Sequence, residues 1–426
     1  MQQVLFRIPV KDIADSLPDI PVFIGPLVLV LAIALGRWRH FPKLFFAISY
    51  VVVALLLLPS VLKWISFTDS IPIYGYGAML FVAFVSCVLL AARLGLREGI
   101  DPRHIQDLAI WIFIFGIIGG RITFMIQDRN EDFSLGKFVK IWEGGLVFYG
   151  GAIGGAVGYF VAYFVSLRKY HISSWKMADV IAPCAALGLA LGRVGCLLNG
   201  CCYGNVACAD CPAVGFPLSA PPRYEMTRRG YQTDAGFTLD AKRPRTVGAV
   251  EPDSAADRAG LHPDDVILQV NDKEVATNRD IDDYLHGKYW PRGKNDLLLL
   301  IHPSDPQEKE KEILFSPTTI GLHPTQVYES VSMVLLAFLL LAYYPFKRHD
   351  GSLMVIFMLA YSVHRFLNEM LRTDTDPVSI FGIQTHMTLS QNISILVLIA
   401  GILLGIVVWT RPQPKGPECP AMAEGT

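Results

Sequence analysis

Three arginines lie inside apolar stretches of this chain: Arg121 in WIFIFGIIGGRITFMI, Arg193 in CAALGLALGRVGCLLNG and Arg365 in MVIFMLAYSVHRFLNEML. A guanidinium within a membrane span costs several kcal/mol unless it is paired or wetted, so each marks a functional position by default. Composition agrees with membrane residence. Of the 426 residues, 52% are hydrophobic and 18% charged, with a mean hydropathy of +0.39, which is not how soluble domains look. The formal net charge of -1 selects no partner, and no nucleic-acid partner is expected. The N-terminus, MQQVLFRIPVKDIADSLPDIP, has no basic start leading directly into an apolar core with a small-residue cleavage site. It predicts no cleaved signal peptide.

A span needs about 20 apolar residues. About nine stretches are candidates: 22–36, 44–66, 75–93, 107–126, 144–167, 177–199, 326–345, 352–371 and 388–410. Basic loops follow alternate spans (RWRHFPK, RLGLREGIDPRH, SLRKYH, PFKRHDG, RPQPK), while FTDSIPIYG, QDRNEDFSLGK and TDTDPVSIFGIQ are acidic or mixed. The excess of Lys and Arg in cytoplasmic loops then predicts an outside N-terminus, an inside C-terminus and an outside segment 201–324.

In that arrangement the three arginine-bearing spans run outward. Each arginine lies roughly 8–10 Å below the outer end at 1.5 Å per residue. Inward-running spans begin at the same level with Tyr74, Tyr76, Tyr149, His323, Gln326, Tyr328 and Glu329. Tyrosine belts and snorkelling arginines are ordinary at interfaces. Three arginines with Glu329, Glu369, His323 and His364 nearby point instead to a buried anion site, because a guanidinium offers a planar fork of donors to phosphate oxygens. Glu369 is four residues after Arg365, on the same helix face. The dense glycines of GIIGGR, EGGLVFYGGAIGGAVG and LGLALGRVG predict close helix packing.

The outside segment opens on crowded cysteines, Cys196, Cys201, Cys202, Cys208 and Cys211, in CLLNGCCYGNVACADC. On an outward-facing loop, two disulfides among Cys201, Cys202, Cys208 and Cys211 are expected. A four-thiolate zinc site and free thiols are the alternatives. Further on, VGAVEPDSAADRAGLHPDDVILQVNDKEVATNRDIDDYL reads as strand, short helix, strand, turn, helix, and LLLLIHP and KEILFSP as closing strands. This pattern, over about 235–316, resembles a PDZ domain. The resemblance implies a peptide ligand added to a sheet edge; a module that merely caps the membrane part is the alternative.

The segments IYGYGAML, GGRITFMI, KIWEGGLVFYGGAIGG, MADVIAP, GLALGRVGCLLNG, HPTQVYE and YSVHRFLNEMLR occur in that order over about 72–205 and 320–410. Together they resemble the prolipoprotein diacylglyceryl transferase family of the bacterial plasma membrane. The resemblance implies an all-α polytopic membrane protein with a seven-helix transferase core. Here the core would carry about two extra N-terminal helices and an inserted, mainly β PDZ-like extracytoplasmic domain. The expected divisions are an N-terminal extension (1–70), a first core part (71–205), a Cys-rich linker (206–234), the PDZ-like domain (235–316), a second core part (317–411) and a cytoplasmic tail (412–426).

The resemblance also implies a reaction. A diacylglyceryl group passes from phosphatidylglycerol to the lipobox cysteine thiol of a prolipoprotein, a thioether forms, and glycerol phosphate leaves. No metal or cofactor is required. The implied partners are phosphatidylglycerol, prolipoprotein signal peptides and membrane lipid. By motif, Arg193 would hold phosphate, and Arg365, with Tyr361, would stabilise the leaving group or the thiolate. Tyr76, Asn199, His323, Gln326 and Glu329 match further elements of the site, and Arg121 and Glu369 join the expected substrate-binding set.

Two departures stand out. The family's S-F-H-G-G is Val147-Phe148-Tyr149-Gly150-Gly151, without the histidine. Its G-R-x-G-N-F-x-N-G-E is GRVGCLLNGC, so Cys196 replaces Asn and Cys201 replaces Glu. His364 and His323 become the candidate bases for the thiol, since Tyr149 can donate a hydrogen bond but is a poor base near pH 7. Two rival readings remain: a non-transferase relative using the Cys loop for thiol redox or metal handling, and a PDZ-bearing scaffold for secreted precursors.

Overall fold

A backbone in hydrocarbon must satisfy its own hydrogen bonds, and long apolar runs do so as helices. The computed structural model describes residues 4–8, 71–127, 147–165, 167–208, 210–285, 294–305, 307–372, 377–380 and 383–411. Strand β1 (Val4–Ile8) pairs antiparallel with β2 (Ile71–Tyr74). Helices α1 (Gly75–Arg97), α2 (Pro102–Gln127), α3 (Phe148–Val165) and α4 (Ser174–Asn199) follow. The extramembrane part holds α5 (Pro221–Arg228), β3 (Phe237–Leu239), β4 (Val247–Val250), α6 (Ala255–Arg258), β5 (Val266–Val270), β6 (Lys273–Glu274), α7 (Asn278–Leu285), β7 (Leu297–His302) and β8 (Lys311–Phe315). The chain then re-enters as α8 (Thr325–Tyr343) and α9 (Ser352–Glu369). A short hairpin of β9 (Pro377–Ile380) and β10 (Ile383–Thr388) leads into α10 (Leu389–Thr410).

Among the described residues, five helices are long and apolar enough to cross a membrane: α1, α2, α4, α8 with its 3-10 extension to Phe346, and α10. The predicted span at 144–167 appears as α3 over its described part, and the one at 352–371 as α9, diluted by the polar groups it carries. The predicted spans at 22–36 and 44–66 lie outside the described residues. Large apolar side chains such as Phe81, Leu89, Phe160, Phe338, Leu396 and Leu403 face outward, a costly arrangement in water and the expected one in lipid. The protein is a multi-pass membrane protein.

The glycines predicted to pack do so at backbone contact between α2 and α3. A Cβ on Gly154 would stand 2.2 Å from the Phe115 carbonyl oxygen, and one on Gly150 would stand 2.4 Å from that of Gly119. Elsewhere α1 and α8 pack on α4, and α9 packs on α10. At the end of α4 where the helix begins, Asp179 accepts from Gly351 N (2.9 Å), Leu353 N (2.9 Å) and Lys347 Nζ (3.0 Å). Lys347 also pairs with Glu98 at 2.7 Å, so one polar knot joins the ends of α1, α4, α8 and α9.

The extramembrane strands and helices fall in the predicted order, with Asn271 and Asp272 left-handed in the predicted turn. Strands order β6-β5-β7-β8, all antiparallel, and β3-β4 form a separate pair. Val247, Ile267, Ile281, Leu297 and Leu299 sit in their core. The sheets are small, so the molecule as a whole is helical with a small α/β extramembrane part. That part is stitched to the membrane helices by backbone bonds from Gly204 N to His323 O (2.9 Å) and from Asn205 N to Leu371 O (2.8 Å). Gly204 is needed there, because a Cβ would meet that of His323 at 2.8 Å.

The cysteine expectation is corrected. Among the described residues one disulfide, Cys208–Cys211, closes a tight loop, and Cys201 and Cys202 are free thiols. The physical reason lies in their backbone. Gly200 and Cys202 are left-handed at the turn after α4, and the carbonyls of Cys201 and Cys202 are held by Gln326 Nε2 (2.7 Å) and Thr325 Oγ1 (2.6 Å). The two thiols are thereby turned toward Cys196. The disulfide takes Cys208 and Cys211 out of the metal alternative and leaves it to Cys196, Cys201 and Cys202.

Candidate active site

Glu329 lies just over one turn into α8 and is 1% exposed. Its Oε2 stands 2.9 Å from Arg193 Nε of α4 and 3.3 Å from Arg365 Nη1 of α9, and it accepts from Asn368 Nδ2 at 3.1 Å. Arg365, 8% exposed, also reaches Glu369 Oε2 at 2.7 Å and donates to Ser390 Oγ at 2.9 Å. Arg372 Nη1 lies 3.5 Å from the same Glu369 oxygen. Three guanidiniums therefore share two buried carboxylates, and one positive charge is left in excess. A buried cluster of this kind is held by mutual pairing, since removing one partner strands the others.

Local sequence explains the geometry. Residues spaced three and four apart lie on one helix face, so Arg365, Asn368 and Glu369 form a single polar stripe at the end of α9, and Arg372 follows in the turn just after it. Opposite it, Thr388 caps α10: its Oγ1 accepts from Gln391 N at 3.2 Å, and Gln391 Oε1 accepts from Thr388 N at 3.0 Å. This reciprocal cap satisfies otherwise orphaned helix donors. It also sets Thr388 Oγ1 to donate to Glu369 Oε1 at 3.1 Å and brings Ser390 to Arg365. Ser390 Oγ is hydrogen-bonded in turn to Tyr149 OH at the start of α3.

A thiol cluster borders this network. The sulfurs of Cys196, Cys201 and Cys202 lie within 4.8 Å of one another. Arg193 Nη1 is 3.9 Å from Cys196 Sγ, so this arginine touches both the carboxylate network and the thiols. Asn199 lies beside Cys201. The Tyr76 ring packs beside Gly195, within electrostatic reach of Arg193 and the thiols.

Most of the predicted site residues are thus brought together: Arg193, Arg365, Glu329, Glu369, Tyr149, Tyr76, Asn199 and Gln326. Tyr361 is within electrostatic reach of Glu329, both arginines and Tyr149. His364 feels the same three charges, and its buried Nε2 has no hydrogen-bond partner among the described residues. His323 sits instead in the seam with the extramembrane part. Its Nδ1 lies 3.3 Å from Tyr328 OH, which donates to Pro212 O at 3.5 Å. Arg121 is buried on α2 with its guanidinium 5.2 Å from the centroid of the Phe124 ring. Sequence reasoning missed Asn368, Arg372, Thr388 and Ser390. The first two were findable from their spacing to Arg365, and the third from the T-x-x-Q cap signature of residues 388–391. Nothing in the sequence singles out Ser390.

Comparison with known proteins bears on this arrangement. The profile of the family described as prolipoprotein diacylglyceryl transferase matches residues 63–407. A protein of Rhodopirellula baltica named phosphatidylglycerol–prolipoprotein diacylglyceryl transferase is 28% identical over 394 residues, covering 82% of this chain and 75% of its own length. Proteins of the same name from Clostridium tetani (25% identical; 79% of this chain, 93% of the relative) and Listeria monocytogenes (27%; 82% and 89%) are similar over comparable lengths. With two of its intramembrane arginines, Arg193 and Arg365, gathered on one carboxylate and its sequence matched over most of its length, this chain belongs to the prolipoprotein diacylglyceryl transferase family.

Proposed function

We propose that this protein transfers a diacylglyceryl group from phosphatidylglycerol to the lipobox cysteine of prolipoproteins, as its relatives' names state for them. The observation that carries the reading is the excess positive charge of the buried Arg193–Glu329–Arg365–Glu369–Arg372 cluster. An anionic lipid head supplies the missing negative charge, and a phosphate leaving group needs more cationic stabilisation as the reaction proceeds. The acceptor thiolate attacks the diacylglyceryl carbon bonded to phosphate oxygen. The C–S bond forms, the C–O bond breaks, and the electron pair departs with glycerol phosphate toward Arg193 and Arg365.

Two buried acceptors support the choice of headgroup. Glu329 Oε1 and Gln326 Oε1 have no hydrogen-bond partner among the described residues. Buried polar atoms are nearly always bonded, and a glycerol headgroup offers hydroxyl donors. Tyr76, Asn199 and Arg121 line the lipid's approach in this reading, and Tyr149 orients Arg365 through Ser390. His364, with its unbonded Nε2, takes the thiol proton in place of the family's missing histidine, and His323 serves the seam.

The site faces the outside of a bacterial plasma membrane in this reading, with the N-terminus outside and the C-terminus inside, as the basic loops favour. Residues 235–316 act as a PDZ-like module that receives an extended peptide. The strand, helix and turn order over β4 to β8 supports that reading.

Complementation tests the function. A strain depleted of its own transferase should grow and lipidate its lipoproteins when this chain is expressed. Failure of a membrane-inserted, folded chain to restore lipidation would refute the reading. Deleting 235–316 should reduce handling of peptide acceptors while leaving phospholipid binding intact.

A further inference from the structure

Cys196, Cys201 and Cys202 have a geometry that the transferase chemistry just described does not use. Their sulfurs lie within 4.8 Å of one another, and each is anchored separately. Cys196 is fixed on α4, and Cys201 and Cys202 by the left-handed turn and by their carbonyl bonds to Gln326 and Thr325. The neighbouring loop thiols, Cys208 and Cys211, are tied to each other and do not compete. Zinc–sulfur bonds of about 2.3 Å in a tetrahedron set sulfurs about 3.8 Å apart, so side-chain rotations of about 1 Å close the trio on one ion. Arg193, 3.9 Å from Cys196 Sγ, and Arg372, in electrostatic reach of Cys202, border the trio.

We propose that Cys196, Cys201 and Cys202 hold one zinc-class ion, whose open fourth position takes the acceptor cysteine as its thiolate. Three protein ligands with one free position is the pattern of catalytic rather than structural zinc, and a coordinated thiol gives up its proton. The acceptor S–H bond breaks, its proton passes to His364, and a metal–sulfur bond forms. That sulfur then attacks the diacylglyceryl carbon; the C–S bond forms as the metal–sulfur and C–O bonds break. No oxidant or reductant is involved. Arg193 spans the thiols and Glu329, which puts the activated sulfur and the phosphate within reach of one side chain. The second half of this proposal rests on the transferase reading; the metal site does not.

The test titrates cobalt into the full chain, stripped with chelator in detergent with the Cys208–Cys211 disulfide intact. One cobalt per chain should bind with near-ultraviolet thiolate-to-metal absorption. Affinity should fall more than about tenfold in C196S, C201S and C202S, while the C208S/C211S double variant binds normally and controls for folding. A lipobox peptide should strengthen the thiolate absorption, and its Cys→Ser analogue should not. Absence of saturable cobalt or zinc binding, binding indifferent to C202S, or a disulfide within the trio in the isolated protein overturns the site. A cobalt spectrum unmoved by the cysteine peptide, or full transfer by zinc-free protein, overturns the thiol-activating role while the transferase reading stands. Cobalt and peptide-thiol binding without any diacylglyceryl transfer supports the metal site and refutes the transferase reading instead.

Discussion

Arg193 Nε and Glu329 Oε2 meet at 2.9 Å across two membrane helices separated in sequence by the whole extramembrane part. The same carboxylate oxygen lies 3.3 Å from Arg365 Nη1. One buried acid thus holds two guanidiniums at a fixed separation. Glu329→Gln keeps the shape and removes the charge. Transfer activity should fall about 10²–10³-fold, the scale of losing a preorganised charge contact. The unfolding temperature in detergent should fall with it, since stranding buried charges costs about 3–5 kcal/mol. Steady-state kinetics and a thermal shift assay check the pair.

Ser390 Oγ joins Arg365 to Tyr149. Ser390→Ala and Tyr149→Phe should each lower kcat/KM by about 10–100-fold, the cost of leaving a charged buried donor less well satisfied, about 1–3 kcal/mol. Because both act through Arg365, the double variant should fall well short of the sum, with a coupling of about 0.5–3 kcal/mol. Additive losses in that cycle would break the proposed link.

The Asp179–Lys347 knot makes a stability prediction with a pH sign. Burial pulls the Lys347 ammonium down, but its hydrogen bond to Glu98 and the charge of Asp179 outweigh this and leave its pKa raised. A raised folded pKa gives stability that is complete below the ordinary lysine value, about 10.4, and is lost as pH climbs through the folded value. Thermal unfolding should therefore weaken at strongly alkaline pH, and Lys347→Met should remove that alkaline component. Asp179→Ala, which also orphans Gly351 N and Leu353 N, should destabilise at neutral pH by about 3–5 kcal/mol, with activity per folded molecule retained.

Where α2 meets α3, Gly154 has no room for a side chain, its Cβ falling 2.2 Å from Phe115 O. Gly154→Ala should cost about 1–3 kcal/mol through overpacking, read as a lower unfolding temperature. Alanine at Gly77, where nothing lies within 4 Å of the added Cβ, should change nothing.

Much of this architecture was legible beforehand. Apolar runs fixed the helices because hydrocarbon leaves no alternative, and a charge inside such a run singled out Arg193 and Arg365. The four-residue spacing of Arg365 and Glu369 placed them on one face, and they pair at 2.7 Å. What spacing cannot supply is the partner on another helix. Arg193, Glu329 and Ser390 come from three helices whose relative rotation is decided by packing. The thiols were misread for a similar reason. Cys201 and Cys202 look like their neighbours Cys208 and Cys211 in sequence, and only the carbonyl bonds to Thr325 and Gln326 turn them toward Cys196.

The most direct measurement is transfer of labelled diacylglycerol from phosphatidylglycerol to a lipobox peptide by the purified chain, with Arg193→Ala and Arg365→Ala alongside. The account predicts transfer by the parent chain and a loss of about 10²-fold or more in each variant. Undiminished transfer in a folded Arg193→Ala or Arg365→Ala protein would contradict the role given to the two guanidiniums at Glu329.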